Sequence, residues 1–308
     1  MTYYNENNPS IEDTVLITSR DLAGETQPSL PLRPPGRGCS APSARVLIFI
    51  FVALGAYFLA PIRNNLLILG IDRTPEGSDI GRSDTMILLS AQPLTGHVNM
   101  LSIPRDLWVP IPGYGENRIN AAHSFGEGAQ TGSGPRLALQ TVKQNFGVNV
   151  NHYIRIRLVG FAGVIDAMGG ADITLTESAA GYPPGRHHLD GTQALAFVRD
   201  RTGDDFFRMQ HGQIFVVSMV KKMVDPLSWL RIPGAMIALS QTVDANLPAW
   251  MWPRVGFAIL RAVIFEDINS RTIPRDATTS WVTDAGAQVL LPNWELIRPL
   301  VREMFGIF

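Results

Sequence analysis

The chain has 308 residues and a formal net charge of -1, with 26 basic and 27 acidic side chains. This length holds one large domain or two small ones, and the balanced charge argues against nucleic-acid binding driven by overall charge. Cys39 is the only cysteine, which excludes an intrachain disulfide and a multi-cysteine metal site.

The first part of the chain combines a polar segment with an apolar one. Residues 1–43 are rich in proline, serine and glycine and sustain no hydrophobic period, which predicts a disordered tail. Val46 to Ile62 contains no charged residue. Its length of about 25 Å as a helix favours a membrane span with some thinning of the bilayer. A buried core helix is the alternative, but this segment has no polar face.

The flanking charges predict an orientation. Arginines are denser before the apolar segment than directly after it: Arg33, Arg37 and Arg45 against Arg63. The positive-inside rule then predicts a cytoplasmic tail over 1–43, a single transmembrane helix over 44–62 and an extracytoplasmic domain over 63–308.

Three apolar runs bounded by charged residues follow, at Leu66–Ile71, Thr85–Ser90 and Val98–Ile103. Short runs of this composition, bounded by Gly, Pro, Asp and Ser, are typical of strands. Their ends would gather charged side chains at one edge of a sheet, namely Asp72, Arg73, Arg82, Asp84 and Arg105. Carboxylates beside several guanidinium groups suggest a divalent cation next to a phosphate-bearing ligand. Solvated loop charges that form surface ion pairs are the alternative.

Strand and helix patterns alternate in the rest of the chain, which predicts the α/β class with a mixed sheet flanked by helices. The predicted helices cover 134–147, 161–168, 191–198, 205–223, 233–242, 251–264 and 294–305. The predicted strands cover 152–158, 172–176, 271–273 and 288–291. Segments 108–115 and 177–189 are predicted to be loops.

Six segments, in order, resemble the LytR-CpsA-Psr family of bacterial cell-wall glycopolymer transferases. They are Gly70–Arg73, Arg82–Met86, Leu101–Asp106, Arg118–Ala122, Val164–Gly170 and Leu189–Arg199. The resemblance implies an α-β-α sandwich that is anchored to the bacterial cell membrane with its catalytic domain outside. It also implies transfer of a glycopolymer phosphate from a polyisoprenyl pyrophosphate lipid to peptidoglycan, assisted by Mg2+ or Mn2+.

The resemblance also assigns residues. Asp72 and Asp84 match the metal-associated carboxylates. The residues that match pyrophosphate-binding positions are Arg73, Arg82, Arg105, Arg118, Asn120, Arg199, Arg201, Arg208 and Gln213. Arg105, Asp106 and Asp205 are the catalytic candidates, and the base that activates the acceptor hydroxyl could be Asp106, Asp204 or Asp205. The expected partners are the lipid-linked glycan, peptidoglycan and membrane lipid, without nucleic acid.

The chain departs from the family pattern directly after Arg208. The family continues Arg-x-x-Arg-Gln-Gln, whereas this chain has His211 and Gly212 before Gln213. Histidine carries a charge only below about pH 6.5 when unperturbed, and glycine supplies no side-chain donor. The strength of phosphate binding at this corner, or the identity of the donor, is therefore expected to differ.

Two other functions fit the same residues. A polyprenyl-pyrophosphate hydrolase would use the same metal and arginines with water as the acceptor. A non-catalytic regulatory or binding protein of the cell envelope would need the ligand site without the transfer step.

Overall fold

The computed structural model describes residues 43–72, 80–158, 160–200 and 205–306, with the backbone alone at 205–208, 224, 232, 236 and 241. Apart from Ser43, the predicted disordered tail over 1–43 lies outside the described residues.

Helices and strands are interspersed along the described chain, as expected for the predicted α/β class. The helices are α1 (Ala44–Leu59), α2 (Ala121–Ala129), α3 (Gly134–Phe146), α4 (Phe161–Ala167), α5 (Gly191–Arg199), α6 (Asp205–Val224), α7 (Ile232–Thr242), α8 (Met251–Ile264) and α9 (Trp294–Phe305). Short 3-10 helices cover Pro226–Arg231 and Arg275–Ala277.

The strands are β1 (Asn64–Ile71), β2 (Ser83–Ala91), β3 (Val98–Ser102), β4 (Trp108–Ile111), β5 (Gly115–Arg118), β6 (His152–Arg157), β7 (Ala171–Leu175), β8 (Gly185–Leu189), β9 (Val243–Ala245), β10 (Ile268–Thr272), β11 (Thr278–Val282) and β12 (Gln288–Pro292). In the described part of the chain, six of them form a central sheet in the order β10-β3-β2-β1-β6-β9. β1, β2 and β3 are antiparallel neighbours, whereas β6 runs parallel to β1 and β10 parallel to β3. The predicted mixed α/β architecture is confirmed.

The near-continuous apolar runs of the central strands let them bury both of their faces. On one face, Leu67 and Leu69 of β1 join a core that includes residues of α3 and α9. On the other face, Leu66 packs in a core with residues of α8. A third core lies among α4, α5, α6 and β7. The sheet is thus the middle layer of a sandwich whose helices fix the ends of the strands.

Two predicted loops contain strands. Segment 108–115 includes β4, which pairs with β5, and segment 177–189 ends in β8, which pairs with β7. The loop predictions were wrong here because glycine and proline dominate the local composition. Gly113 and Gly115 have positive φ values and form the turn of the first hairpin, so the same composition that predicts a loop makes a tight hairpin possible.

The apolar N-terminal helix is shorter than the predicted span over 44–62. α1 ends at Leu59 because Pro61 disfavours helical backbone at Ala60. Its 16 residues correspond to about 24 Å. Among the described residues, no helix has both the length and the apolar character needed to cross a membrane.

A buried arginine of α8 holds the chain that leaves α1. Arg254 is 4% exposed, and its guanidinium donates hydrogen bonds to the backbone oxygens of Tyr57, Ala60 and Ile62. Tyr57 lies in the last turn of α1, where carbonyls have no helical partner, and Ala60 and Ile62 follow the helix. Arg254 satisfies all three carbonyls and acts as a C-terminal cap.

Gly212 provides a test of the packing around α6. A Cβ atom added there meets nothing within 4 Å, whereas one added at Gly191 of α5 lies 2.1 Å from the Ala162 carbonyl oxygen. We expect Gly212→Ala to raise the free energy of unfolding by about 0.5–1 kcal/mol, because alanine loses less backbone entropy in a helix. Gly191→Ala should lower it. Denaturant unfolding checks both, and destabilisation by Gly212→Ala would contradict the open environment.

Candidate active site

The central strands bring two carboxylates to the same edge of the sheet. Asp72 directly follows β1, and Asp84 is the second residue of β2. β1 and β2 are antiparallel and Ile71 is opposite Ser83, so the end of one strand lies beside the start of the other. Asp72 is buried and Asp84 is partly buried. The predicted gathering of charged residues at this edge is therefore observed for both carboxylates.

A chain of alternating charges extends from Asp84. Arg105 Nη1 donates a 2.8 Å hydrogen bond to Asp84 Oδ1, and Arg105 Nε lies 3.4 Å from Asp106 Oδ2. Arg118 Nε lies 3.2 Å from Asp106 Oδ1. Asp106 is therefore placed between two guanidinium groups. Partly exposed ion pairs of this kind contribute about 0–1 kcal/mol each, so they do little for stability.

Backbone hydrogen bonds fix the segments that carry these charges. The Asn120 backbone N–H donates to the Arg105 carbonyl oxygen at 3.2 Å, and the Ser83 N–H donates to the Asn120 carbonyl oxygen at 3.4 Å. Asn120 is itself buried, which suits a backbone connector between the two strand ends. Its predicted contact with pyrophosphate would have to come from a side chain enclosed by protein.

α5 carries a further arginine to the same edge. Asp190 and Gln193 form a capping box that starts α5, and Arg199 is its last residue. The Arg199 guanidinium donates a hydrogen bond to Asp72 Oδ1 while its side chain stays 41% exposed. Residues 127 positions apart in sequence thus complete one pair of opposite charges.

The remaining predicted site residues fall into two groups. Arg82 is exposed beside Ser83, at the start of β2. Arg73, Arg201 and Asp204 lie outside the described residues, as do the side chains of Asp205 and Arg208.

Gln213 has a different environment from the one the resemblance implies. Its amide nitrogen donates to Ser102 Oγ at 2.8 Å and to the Arg271 carbonyl oxygen at 2.5 Å. An amide nitrogen has two hydrogens, so both are used by acceptors within the protein. In this conformation Gln213 attaches α6 to β3 and β10, and it has no donor left for a phosphate.

The arrangement of the site and the sequence agree with one family. The sequence model of the LytR_cpsA_psr family matches residues 62–291, which is more than half of the chain. The chain belongs to the LytR-CpsA-Psr family.

Individual members of known name support this placement. A polyisoprenyl-teichoic acid–peptidoglycan teichoic acid transferase TagU from Oceanobacillus iheyensis is 46% identical over 144 residues, which cover 46% of this chain and 44% of that protein. The protein of the same name from Bacillus cereus is 32% identical over 191 residues, 59% of this chain and 60% of the relative. The alignments therefore span less than two thirds of either relative.

The fold is also shared with a solved structure. The crystal structure of B. subtilis TagV superposes with a TM-score of 0.64 and covers 80% of this chain and 99% of that one. The identity is 23%, so this similarity shows the fold.

The pair of carboxylates is compatible with the metal that the LytR-CpsA-Psr family implies. Among the described residues, no group of three or more His, Cys, Asp and Glu side chains could hold a metal ion. Mg2+ often binds one or two carboxylates and takes its other ligands from water and substrate phosphates. Asp72 and Asp84 match such an incomplete protein set, in which the substrate completes the coordination.

Arg155 of β6 is not among the site residues that the sequence indicates. Arg155 is buried, and it forms ion pairs with Glu127 at 2.7 Å and Asp244 at 2.9 Å. Glu127 also accepts hydrogen bonds from the backbone N–H groups of Gly132 and Gly134. Removing one partner of such a buried pair costs about 3–5 kcal/mol, so this network holds α2, α3 and β6 together.

Arg157, at the end of the same strand, is the arginine whose backbone lies beside the site. It is the last residue of β6 and lies opposite Ile71 in the parallel pairing with β1, directly beside the position of Asp72. The signal available in the sequence was its place at the end of a predicted strand that could adjoin β1.

His211 occupies the position where the LytR-CpsA-Psr pattern has an arginine, and it is buried. Its side chain packs on Phe197 with ring centroids 4.9 Å apart, and its residue exposure is 4%. Burial lowers the pKa of His211 below 6.5, and the nearby charge of Asp200 opposes this shift. The neutral imidazole is therefore favoured at neutral pH, and this corner of the site lacks the permanent cation of the family pattern.

The lowered pKa of His211 predicts a pH dependence of stability. Below pH 6.5 the unfolded chain binds a proton more readily than the folded one, so the free energy of unfolding should fall as pH decreases from 6.5 toward the lowered pKa. The limiting slope for one group is about 1.4 kcal/mol per pH unit. His211→Gln should flatten this slope when urea unfolding is measured from pH 7 down to pH 5, an interval of about two pH units.

The control is His152→Gln, at a partly exposed histidine of β6 that contacts the Asn246 carbonyl oxygen. If His211→Gln and the unchanged protein lose stability equally over this pH range, the neutral buried state assigned to His211 is wrong.

Proposed function

We propose that this chain transfers a glycopolymer phosphate from a polyisoprenyl pyrophosphate carrier to peptidoglycan. The observation that carries the proposal is the run of alternating charges at one edge of the sheet, with Asp72 and Arg199 on one side and Asp84, Arg105, Asp106 and Arg118 on the other. The name shared by the two curated relatives supports the substrate class.

The arginines would bind the non-bridging oxygens of the pyrophosphate. A guanidinium offers five N–H donors in a planar fork, which suits phosphate oxygens better than an ammonium group does. Arg105 and Arg199 each donate a hydrogen bond to a carboxylate oxygen of the site. An entering pyrophosphate would exchange some of these protein contacts for contacts with its own oxygens, at little cost in stability.

The reaction joins the acceptor hydroxyl oxygen to the phosphorus next to the glycan. The bond from that phosphorus to the bridging oxygen breaks, and the lipid phosphate leaves with the bond electrons. The hydroxyl proton passes to a base. Asp106 lies between two arginines, which favours an orienting role for it, whereas Asp204 and the Asp205 side chain lie outside the described residues.

Asp72 and Asp84 would hold Mg2+ or Mn2+ at the pyrophosphate. When bound, the cation neutralises charge on the phosphates and stabilises the leaving lipid phosphate. The two carboxylates can serve this role because they come from neighbouring strands whose ends meet.

The middle of α6 and the strand β10 would provide a wall for part of the lipid. A cavity of about 480 Å³ lies between them, and its apolar lining includes Ile214, Val217 and Ile268. Polar groups line it as well, among them Gln213, which attaches α6 to the sheet. We propose that the prenyl chain nearest the pyrophosphate contacts the apolar part of this lining.

The apolar segment around α1 would anchor the domain to the membrane from the outer face, with the segment 1–43 in the cytoplasm. Support comes from the exposed apolar side chains of α1 and from Arg254, which fixes the chain where it leaves the helix. The greater density of arginines before this segment supports the orientation.

The transfer proposal is tested with the full-length protein in detergent, a pyrophosphate-lipid-linked glycan, Mg2+ and soluble peptidoglycan fragments. We expect covalent glycan–peptidoglycan conjugate and lipid phosphate in equal amounts. Arg105→Ala should lower kcat by about 10²–10³-fold, as for loss of one transition-state donor. Arg271→Ala, which removes an exposed ion pair with Glu303, is the matched control and should retain activity.

Two outcomes would contradict the proposal. Lipid phosphate with free glycan and no conjugate would identify a hydrolase. Full activity of Arg105→Ala, or binding of the lipid without any turnover, would instead favour a regulatory or binding protein.

The metal assignment is tested by replacing one carboxylate. Asp84→Asn keeps the size of the side chain but removes its charge. We therefore expect the Mg2+ concentration for half-maximal transfer to rise by at least about tenfold, which corresponds to a loss of about 1.4 kcal/mol in the free energy of Mg2+ binding. Asp276→Asn, at an exposed aspartate of a short 3-10 helix, is the control. An unchanged Mg2+ titration for Asp84→Asn would show that Asp84 is not a ligand.

A further inference from the structure

A groove lined by three tryptophans lies outside the charged edge described above. Trp108, Trp281 and Trp294 surround a cavity of about 340 Å³ together with the carboxylate of Glu116. Trp281 is 41% exposed although it is large and apolar. Exposed aromatic surface around a concave site with few polar groups is typical of ligand binding.

The rings of the groove are held by specific contacts. Trp108 Nε1 donates a 3.2 Å hydrogen bond to Glu116 Oε2, across the β4–β5 hairpin. Trp281 on β11 meets Trp108 nearly edge-on, with centroids 6.1 Å apart and an interplanar angle of 75°. Trp294 packs edge-on against Phe146 of α3 at 5.4 Å. The aromatic surface is therefore built from three separate segments of the chain in a defined arrangement.

The groove is connected directly to the charged edge of the sheet. Trp108 pairs with Arg118 in the β4–β5 hairpin, and Arg118 Nη2 donates a 2.6 Å hydrogen bond to the Gln288 carbonyl oxygen of β12. The Leu290 N–H donates to the Asp106 carbonyl oxygen at 3.0 Å. A ligand seated on the tryptophans thus lies beside the two residues that end the chain of alternating charges.

We propose that this groove binds the acceptor, a strand of neutral pyranose sugars, and presents its hydroxyl to the phosphate at the charged edge. The apolar C–H faces of pyranose rings pack well on indole rings, and their hydroxyl groups donate hydrogen bonds to a carboxylate such as Glu116. The inference rests on the proposed transfer function and assigns the acceptor side of it.

The charge of the groove indicates which glycan it binds, that of the acceptor or that of the donor. The donor glycan is attached to a pyrophosphate, and its position is set by the arginines rather than by the groove. The charged side chain that lines the groove is a carboxylate, which repels phosphate-bearing polymer and favours hydroxyl-rich neutral sugar. An open groove on the surface also suits a polymer that enters and leaves sideways.

The first experiment measures binding without catalysis. Full-length protein in detergent is titrated by calorimetry with a chitotetraose probe, a neutral strand of N-acetylglucosamine. We expect Trp281→Ala and Glu116→Gln each to weaken binding by about fivefold to tenfold, the loss of one good contact. Trp252→Ala, which removes a tryptophan of similar exposure on α8, is the matched control and should leave binding unchanged.

The second experiment measures transfer with the same variants. Trp281→Ala should raise KM for soluble peptidoglycan fragments by about fivefold to tenfold, with KM for the lipid-linked donor and kcat at saturating acceptor unchanged. Circular dichroism and the melting temperature check that each variant is folded.

The possible outcomes distinguish a wrong assignment of the groove from a wrong assignment of the transfer function. Transfer by the unchanged protein with no effect of Trp281→Ala on chitotetraose binding or acceptor KM would overturn the groove assignment alone. A rise in donor KM instead of acceptor KM would also overturn it. Chitotetraose binding that depends on Trp281, in a protein that forms no conjugate, would support a glycan groove while refuting the transfer reaction.

Discussion

The meeting of like charges at one edge of the central sheet is the constraint on which the site depends. Antiparallel pairing of β1 with β2 brings the positions of Asp72 and Asp84 to the same edge, and neighbouring carboxylates repel unless cations compensate them. Arg199 and Arg105 supply that compensation from distant parts of the chain. Because these pairs are partly exposed and add little stability, their arrangement is explained better by a ligand of high negative charge than by folding.

The same constraint explains how the layers of the fold cooperate. The sheet places the carboxylates, whereas α5 and the segment after β3 deliver the arginines, so the site exists only when both layers are packed. The buried Arg155–Glu127 pair connects β6 with α2, beside the loop that begins β2. The ion pairs of the site are thus held in place by a buried ion pair of the fold. Breaking the buried pair destabilises the protein much more than breaking a partly exposed pair.

Much of the fold could be predicted from the sequence because the central strands and most helices carry strong hydrophobic patterns. β1, β2, β3 and α3 agree closely with the predicted segments, and the family resemblance located both carboxylates. The β4–β5 hairpin was missed, as was β8, the partner of the predicted strand β7, since the glycine and proline residues of these segments are typical of loops. A sequence pattern also does not show which residues contact each other in the folded chain. The internal hydrogen bonds of Gln213 and the burial of His211 could therefore not be predicted, because they depend on tertiary packing.

The contacts of the β11–β12 hairpin with distant segments have a consequence for folding. Gln288 supplies the acceptor for Arg118, 170 residues away in sequence, and the Leu290 N–H donates to the Asp106 carbonyl oxygen. Contacts between segments so far apart form slowly, because closing the long intervening loop costs chain entropy. Asp106 and Arg118 therefore reach their final positions only after this hairpin has docked.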